Sequence, residues 1–235
     1  MSMTRLTPAR HEHGFTLVEA LAAMLTGMIV IGAAFAILEV SLRQSSRIAD
    51  RVSADQRARI AMETIMLKLH SSCVSSKLTP VEPGSTGSTL KLISQTGAQP
   101  SFATVTLHQI SFSPTTGTLV DTAYPSTVTS VPPEWIFSTT ASSTTTLLTG
   151  VTQTGTTPIF QYFKYEGGAL STTPQTVEPS GLSAAEANET SEVTVSFTTA
   201  PESGNVKEHR AVDLTNTAVL RFDPSSATSI NYPCA

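Results

Sequence analysis

The sequence predicts an α+β fold, with a long N-terminal helix whose first half spans a membrane and whose second half packs on an antiparallel β-sheet head. Residues 15–38 form an apolar run, and residues 39–73 contain neither proline nor glycine. Beyond Pro80 apolar and polar residues alternate, as they do in half-buried strands. The predicted segments are therefore residues 1–14, 15–38, 39–73 and 74–235.

The apolar run is long enough to cross a membrane. Its 24 residues would extend about 36 Å as a helix, and Arg5 and Arg10 before it favour a cytoplasmic N-terminus with the rest exported. An ordinary secretory signal, with small residues at 33–36, is the alternative. The length of the run and Glu19 count against it, because an unpaired carboxylate at bilayer depth costs about 2.5–3.5 kcal/mol.

The helical pattern continues behind the apolar run. A stripe with 4-4-3-4-3 spacing predicts that residues 54–72 bury one face against the head: Ala54, Ala58, Met62, Ile65, Leu69 and Ser72. Residues 39–53 are more polar. They are predicted to link the membrane segment to the head.

The head is predicted to contain strands at 89–94, 102–112, 158–165, 192–198 and 212–222, and a helical turn at 181–188. Within residues 192–198 the alternation directs Val193, Val195 and Phe197 inward. Val105 and Leu107 are predicted to share one face of their strand. The Thr/Ser-rich stretch 113–157 predicts loops, with a weak strand at 134–138.

The charge balance and the two cysteines bear on the partners of the head and on its cross-linking. Residues 74–235 carry six basic and twelve acidic side chains, a net charge of −6, which gives no general attraction to nucleic acid. Cys73 and Cys234 predict a single disulfide if the head is exported; two unrelated thiols are the alternative. Closing so long a loop would remove about 4–5 kcal/mol of unfolded-state entropy.

The sequence contains none of the common catalytic or metal-binding motifs: HExxH, GxSxG, the P-loop or the EF-hand loop. Beyond the leader, which contains His11 and His13, three histidines have no obvious acid or thiol partner and are interpreted as structural or solvated: His70, His108 and His209. A solvated acidic face is preferred over a calcium site for Glu186, Glu189 and Glu192. No enzymatic activity, cofactor or metal is predicted.

The stretch GFTLVE, from Gly14 to Glu19, follows a short polar leader and opens the apolar run. This arrangement resembles the N-terminus of type IV prepilins. The resemblance implies that a prepilin peptidase cleaves between Gly14 and Phe15 on the cytoplasmic side and N-methylates Phe15. The mature helix would stay in the cytoplasmic membrane until assembly carries it into a pilus at the cell surface. Glu19 would then neutralise the new amine of Phe15 in a neighbouring subunit.

Four further segments, 55–72, 160–170, 192–197 and 211–222, are similar in order and character to PilW-type minor pilins and the related J-type pseudopilins. The apolar run lacks the mid-helix proline that major pilins often have, which favours a minor subunit that assists pilus assembly or initiation. A Cys73–Cys234 bridge would span more chain than the short C-terminal loop of many major pilins.

The partners that the resemblance implies are the prepilin peptidase, other major and minor pilins, and the membrane-bound assembly machinery. Two alternatives remain. One is a pseudopilin of a type II secretion system, which shares the motif. The other is a membrane-anchored or secreted extracellular binding domain with an ordinary signal segment.

Overall fold

The computed structural model describes residues 16–73, 79–96, 104–128, 135–201 and 211–220. Two helices lie in these ranges, α1 (Leu17–His70) and α2 (Ala184–Glu189). The strands are β1 (Thr89–Thr96), β2 (Thr104–Ser113), β3 (Thr118–Val128), β4 (Trp135–Phe137), β5 (Ser143–Thr149), β6 (Val151–Thr152), β7 (Phe160–Glu166), β8 (Ala169–Leu170), β9 (Thr190–Thr199) and β10 (Val212–Val219). The chain divides into two compact units, Met1–Ile48 and Ala49–Ala235.

The described part of the first unit, residues 16–48, is helical from Leu17 onward. Gly27 and Gly32 do not interrupt the helix, since its backbone hydrogen bonds need no side chain at those positions. Its large apolar side chains are exposed, among them Leu25, Ile29 and Phe35. The segment is long and apolar enough to cross a membrane, and its apolar window is not buried within the chain.

In the second unit, α1 buries the stripe that its spacing predicts. Ala54, Ala58, Met62, Ile65, Leu69 and Ser72 are each at most 5% exposed, which confirms the predicted inward face. Ile60 and Leu67, on the opposite side of the same helix, are 64% and 70% exposed. This part of α1 is therefore amphipathic, with its apolar stripe in the core of the head.

Within its described residues the head contains two five-stranded antiparallel sheets, so the prediction of a single sheet is wrong. In the first sheet the strand order is β1-β2-β3-β4, and β5 also pairs with β3. In the second the order is β10-β9-β7-β8, and β6 also pairs with β9. One continuous core contains residues of both sheets and of α1, so apolar side chains from two sheets cover the buried helix face.

The Thr/Ser-rich stretch 113–157 was predicted to form loops, but much of it forms strands. Besides the weak strand expected at 134–138, which is β4, it contains β3, β5 and β6. Threonine is β-branched and favours strands, and its hydroxyl tolerates the exposed positions that β5 occupies. On β3 the alternate residues Leu119, Asp121 and Ala123 are buried, a period of two that low complexity conceals.

The other predicted strands are present, with shifts of a few residues at their ends. Val193, Val195 and Phe197 on β9 are fully buried, as predicted. Val105 packs with partly buried Leu107 in a second, smaller apolar cluster around Cys73. The predicted residues 102–103 and 221–222 lie outside the described ranges.

Tyr162 connects the two sheets. It lies on β7, its side chain is fully buried, and its hydroxyl donates to the main-chain oxygens of Thr86 and Thr89, at 2.9 and 3.2 Å. Burial raises the pKa of the Tyr162 hydroxyl, so it stays protonated as the donor. The second sheet is thereby held to the start of β1.

Candidate functional site

The predicted assembly segment begins at the limit of the described residues. Gly14 and Phe15 lie outside them, and Glu19 is exposed in the first turn of α1. The main-chain N–H of Glu19 donates to Oγ1 of Thr16 at 3.3 Å, and that of Ala20 donates to the Thr16 carbonyl at 3.1 Å. Thr16 therefore caps α1, and Glu19 stands at the third helical position.

This position gives Glu19 a local role as well as the predicted one between subunits. A threonine followed three residues later by glutamate is the sequence pattern of a capping box. A carboxylate in the first helical turn also interacts favourably with the positive end of the helix dipole. Capping alone requires only an acceptor at this position. A contact with the amine of another subunit requires the negative charge.

The helix that carries Glu19 exposes its apolar side chains on all sides. Leu17, Val18, Leu21, Met24 and Leu25 are each at least 59% exposed. Such a surface is unfavourable in water, at about 25 cal/mol for each Å². A surface of this kind is typical of a segment that can cross a membrane or pack against other apolar surface.

Cys73 lies just after α1 and is the last residue of the described range 16–73. It is fully buried with Ile93 and Val105, and it is disulfide-bonded. Cys234, the other cysteine of the sequence, lies outside the described residues, so the pairing of the two stays a prediction. The N–H of Cys73 donates to the carbonyl of Ile93 at 2.8 Å, which holds Cys73 itself against β1 of the first sheet.

A buried charge cluster joins α1 to the first sheet. Nδ1 of His108, on β2, lies 3.0 Å from Oδ1 of Asp121, on β3. Nζ of Lys68, on α1, lies 3.1 Å from Oδ2 of Asp121 and 3.1 Å from Nδ1 of His108. The side chains of His108 and Asp121 are 8% and 9% exposed, and that of Lys68 is 20% exposed. The interpretation of His108 as lacking an acid partner is therefore wrong.

His108 and Lys68 together stabilise the ionised carboxylate of Asp121. Burial alone would raise the pKa of Asp121, but the hydrogen bond and charge of His108 and the charge of Lys68 outweigh burial. They hold the pKa of Asp121 below its ordinary value of 3.8. The cluster fits a structural ion network that fixes the angle between helix and sheet.

The alternation of buried residues contains the signal for this cluster. His108 shares its strand face with Ile110 and Phe112, and Asp121 shares its face with Leu119 and Ala123. In an antiparallel pair, inward residues of adjacent strands lie on one surface. Because the sequence prediction had no strand over 118–128, Asp121 had no place beside His108.

Two of the three acidic residues near β9, Glu186 and Glu189, have partners close by. Oε2 of Glu186 accepts the N–H of Ser183 at 2.8 Å, which lowers the pKa of that carboxyl and completes the capping box of α2. Glu189 pairs with Lys164 at 3.3 Å. Within the described parts of the chain, no group of three or more His, Cys, Asp or Glu side chains could hold a metal ion.

No protein-family model matches the chain, and no curated protein or solved structure is significantly similar to it. The function therefore has to be argued from the chain's own residues. The features that bear on it are the N-terminal motif, the unburied apolar helix and the embedding of that helix's continuation in a β head.

Proposed function

We propose that the chain is a minor type IV pilin, a structural subunit that assists assembly or initiation of a pilus filament after prepilin-peptidase cleavage between Gly14 and Phe15. The observation that carries the proposal is the continuity of α1. A single helix contains the unburied apolar segment and the stripe buried in the head. With GFTLVE at its start, this helix suits a subunit held in a membrane and then transferred into a filament.

Glu19 is the residue that would direct assembly. Cleavage before Phe15 creates a positive amine at the level of the membrane, and a carboxylate from a neighbouring subunit can neutralise it in a medium of low dielectric. Such a buried polar contact would fix the axial register between subunits. Release of the Glu19 charge from an unfavourable lipid environment adds to the driving force for assembly.

The mature N-terminus tests the proposal. In a host that carries a prepilin peptidase, mass spectrometry of the membrane-extracted protein should find N-methylated Phe15 as the first residue. An ordinary signal would instead give a start near Ile37. Either form retains the buried stripe from Ala54 onward, so head folding does not distinguish them. A start near Ile37 would rule out the pilin proposal.

The role of Glu19 is tested with Glu19→Gln, which keeps an acceptor for helix capping but removes the charge. Membrane insertion and Phe15 methylation should be unchanged, whereas incorporation into sheared filaments should fall at least about tenfold, as loss of a desolvated ion pair would require. The matched control is Glu39→Gln in the same helix, whose carboxylate pairs with Arg43 on an exposed face. Equal incorporation of the two variants would contradict the assembly role of Glu19.

Co-purification distinguishes a minor pilin from a pseudopilin of a type II secretion system. The host contains both machines, and the genes of each are deleted in turn. We expect the chain to co-purify with the pilus filament, and to do so also when the secretion genes are absent. Recovery only with the secretion machine would assign the chain as a pseudopilin.

A further inference from the structure

The outer edges of the two sheets differ in how far other described segments cover them. The edge of β1 is covered by the chain itself, because Cys73 and Glu82 donate their N–H groups to carbonyls of β1. The edge of β7 beyond β8 receives N–H groups from Ser171 and Gln175. The pairing of β5 with β3 contains an irregularity at Leu119. Coverage and bulges are the usual protections of sheet edges.

β10 has neither protection in the part of the chain that the structure describes. It pairs with β9 in a regular register over its whole length, and no described strand pairs with its other edge. It contains no proline and no lysine, the residues that commonly block an edge. An eight-residue, regular edge that no described segment covers is a template for another strand.

The orientation of the β10 backbone follows from one hydrogen bond. The N–H of Leu220 donates to the carbonyl of Ser191, so even-numbered residues of β10 direct their main-chain groups to β9. Asp213, Thr215 and Thr217 therefore direct theirs to the open edge. Val219 shares this orientation at the end of the strand, and the N–H of Thr217 is bonded to Oδ1 of Asn216 at 2.9 Å, so Asp213 and Thr215 are the available positions within residues 212–216.

A groove runs along this part of the edge. Its volume is about 370 Å³, and it lies between α1 and residues 212–216. We call it the β10 groove; on the α1 side it is lined by Asp55, Arg59, Met62 and Glu63. Five residues of extended chain span about 17 Å. The groove thus follows β10 past Asp213 and Thr215 over the length of a short strand.

The charges of the β10 groove specify the segment that fits it. Asp55, Glu63 and Asp213 are acidic, and Arg59 is held by Asp55 at 2.8 Å. The net formal charge of the lining is −2, with buried Met62 as an apolar floor. A complementary strand presents a lysine or arginine toward α1 and apolar residues on either side.

We propose that the β10 groove binds an extended, basic segment of another polypeptide, which adds to the second sheet as a strand beside β10. Main-chain hydrogen bonds to Asp213 and Thr215 supply the affinity. The exposed carboxylate of Glu63, on α1, selects a basic side chain; the carboxylate of Asp213 already accepts a hydrogen bond from Oγ1 of Thr198 at 2.6 Å. The inference is independent of the pilin assignment, since every residue of the groove belongs to the second unit.

The test measures fluorescence anisotropy of labelled nine-residue peptides with the full chain in non-ionic detergent. One peptide alternates valine with lysine and threonine, and a second carries glutamate in place of lysine. The lysine peptide should bind and the glutamate peptide should not. A lysine peptide with N-methylated amides, which cannot form the ladder, should also fail. Equal binding of all three, or no binding, would overturn the proposal.

Two variants separate edge pairing from general effects of proline. Thr215→Pro removes an N–H that faces the groove and should weaken binding of the lysine peptide more than about tenfold. Thr217→Pro is the matched control, on the same strand and with the same orientation, but outside the groove and with its N–H already bonded. It should change the affinity by less than about twofold. Circular dichroism checks that both variants fold. If both weaken binding equally, the groove is not the site.

The charge preference has its own pair of variants. Glu63→Gln should weaken binding of the lysine peptide about threefold to fivefold, whereas Glu178→Gln, an exposed carboxylate outside the groove, should leave it unchanged. If the two variants weaken binding of the lysine peptide equally, only the net charge of the chain matters, which contradicts selection of a basic side chain by Glu63. Sedimentation of the free chain tests the other occupant: self-association that Thr215→Pro abolishes, without peptide binding, would show that a second copy fills the edge.

Discussion

Substitution of Asp121 by asparagine should reveal how far the head depends on its buried charge cluster. The change keeps the shape of the side chain and removes the charge that faces Lys68 at 3.1 Å and His108 at 3.0 Å. Lys68 would then lie against the first sheet without its counter-ion. A cation in that position must be desolvated without compensation or must withdraw toward solvent, at the expense of packing.

The expected loss of stability follows from burial. Removing one partner of a buried ion pair costs about 3–5 kcal/mol. Because the Lys68 side chain keeps 20% of its exposure, it retains part of its hydration, and we expect about 2–3 kcal/mol. For a unit of this size, that corresponds to a fall of about 4–12 °C in Tm.

The assay is urea or thermal unfolding of the full chain in detergent, followed by the fluorescence of Trp135, the only tryptophan. Asp55→Asn is the matched control, since it breaks the exposed pair of Asp55 with Arg59 and should cost at most about 0.5 kcal/mol. Adding Lys68→Met to Asp121→Asn should recover most of the loss, because the orphaned charge is removed. Equal and small effects of the two asparagine variants would refute the role of the cluster.

Three further outcomes are expected. The pKa of Asp121 is lower in the folded chain than its ordinary value of 3.8. Its contribution to the free energy of unfolding is therefore present above pH 3.8 and is lost as the pH falls through the folded pKa. The fall of Tm with acid should accordingly be shallower in Asp121→Asn than in the unchanged chain. Leu69→Ala should cost about 2–5 kcal/mol in urea unfolding, and exposed Leu67→Ala less than about 0.5 kcal/mol. Gly181→Ala should cost more than about 2 kcal/mol in the same assay, and Gly155→Ala about 1 kcal/mol. Both glycines have positive φ, but of the two only a Cβ at Gly181 would meet main-chain atoms, at 2.5 Å.

The inward face of α1 could be predicted because its period is strong and local. Seven buried side chains recur at helical spacing without a breaker between Ala54 and Leu69, so the sequence alone indicates which side faces the core. The same holds for β9, where Val193, Val195 and Phe197 alternate cleanly. Such patterns need no knowledge of what lies opposite.

The second sheet and the charge cluster could not be predicted in the same way. β3 was hidden because its inward residues include Asp121 as well as Leu119, so hydrophobicity alone does not show the period. The division into two sheets depends on which strands pair, and the contact of Lys68 with His108 joins residues distant in sequence. These are tertiary facts that no local window contains.

The single core has a consequence for the order in which the chain can fold. Ala58 on α1 and Ala218 on β10 belong to the same cluster, although nearly the whole head separates them in sequence. A fold dominated by such distant contacts forms slowly, because the entropy of closing a long loop is lost before the contacts form. During synthesis the stripe on α1 is made early and cannot be fully covered until β10 emerges. The nascent head therefore carries exposed apolar surface through most of its synthesis, the condition in which chains aggregate or recruit chaperones.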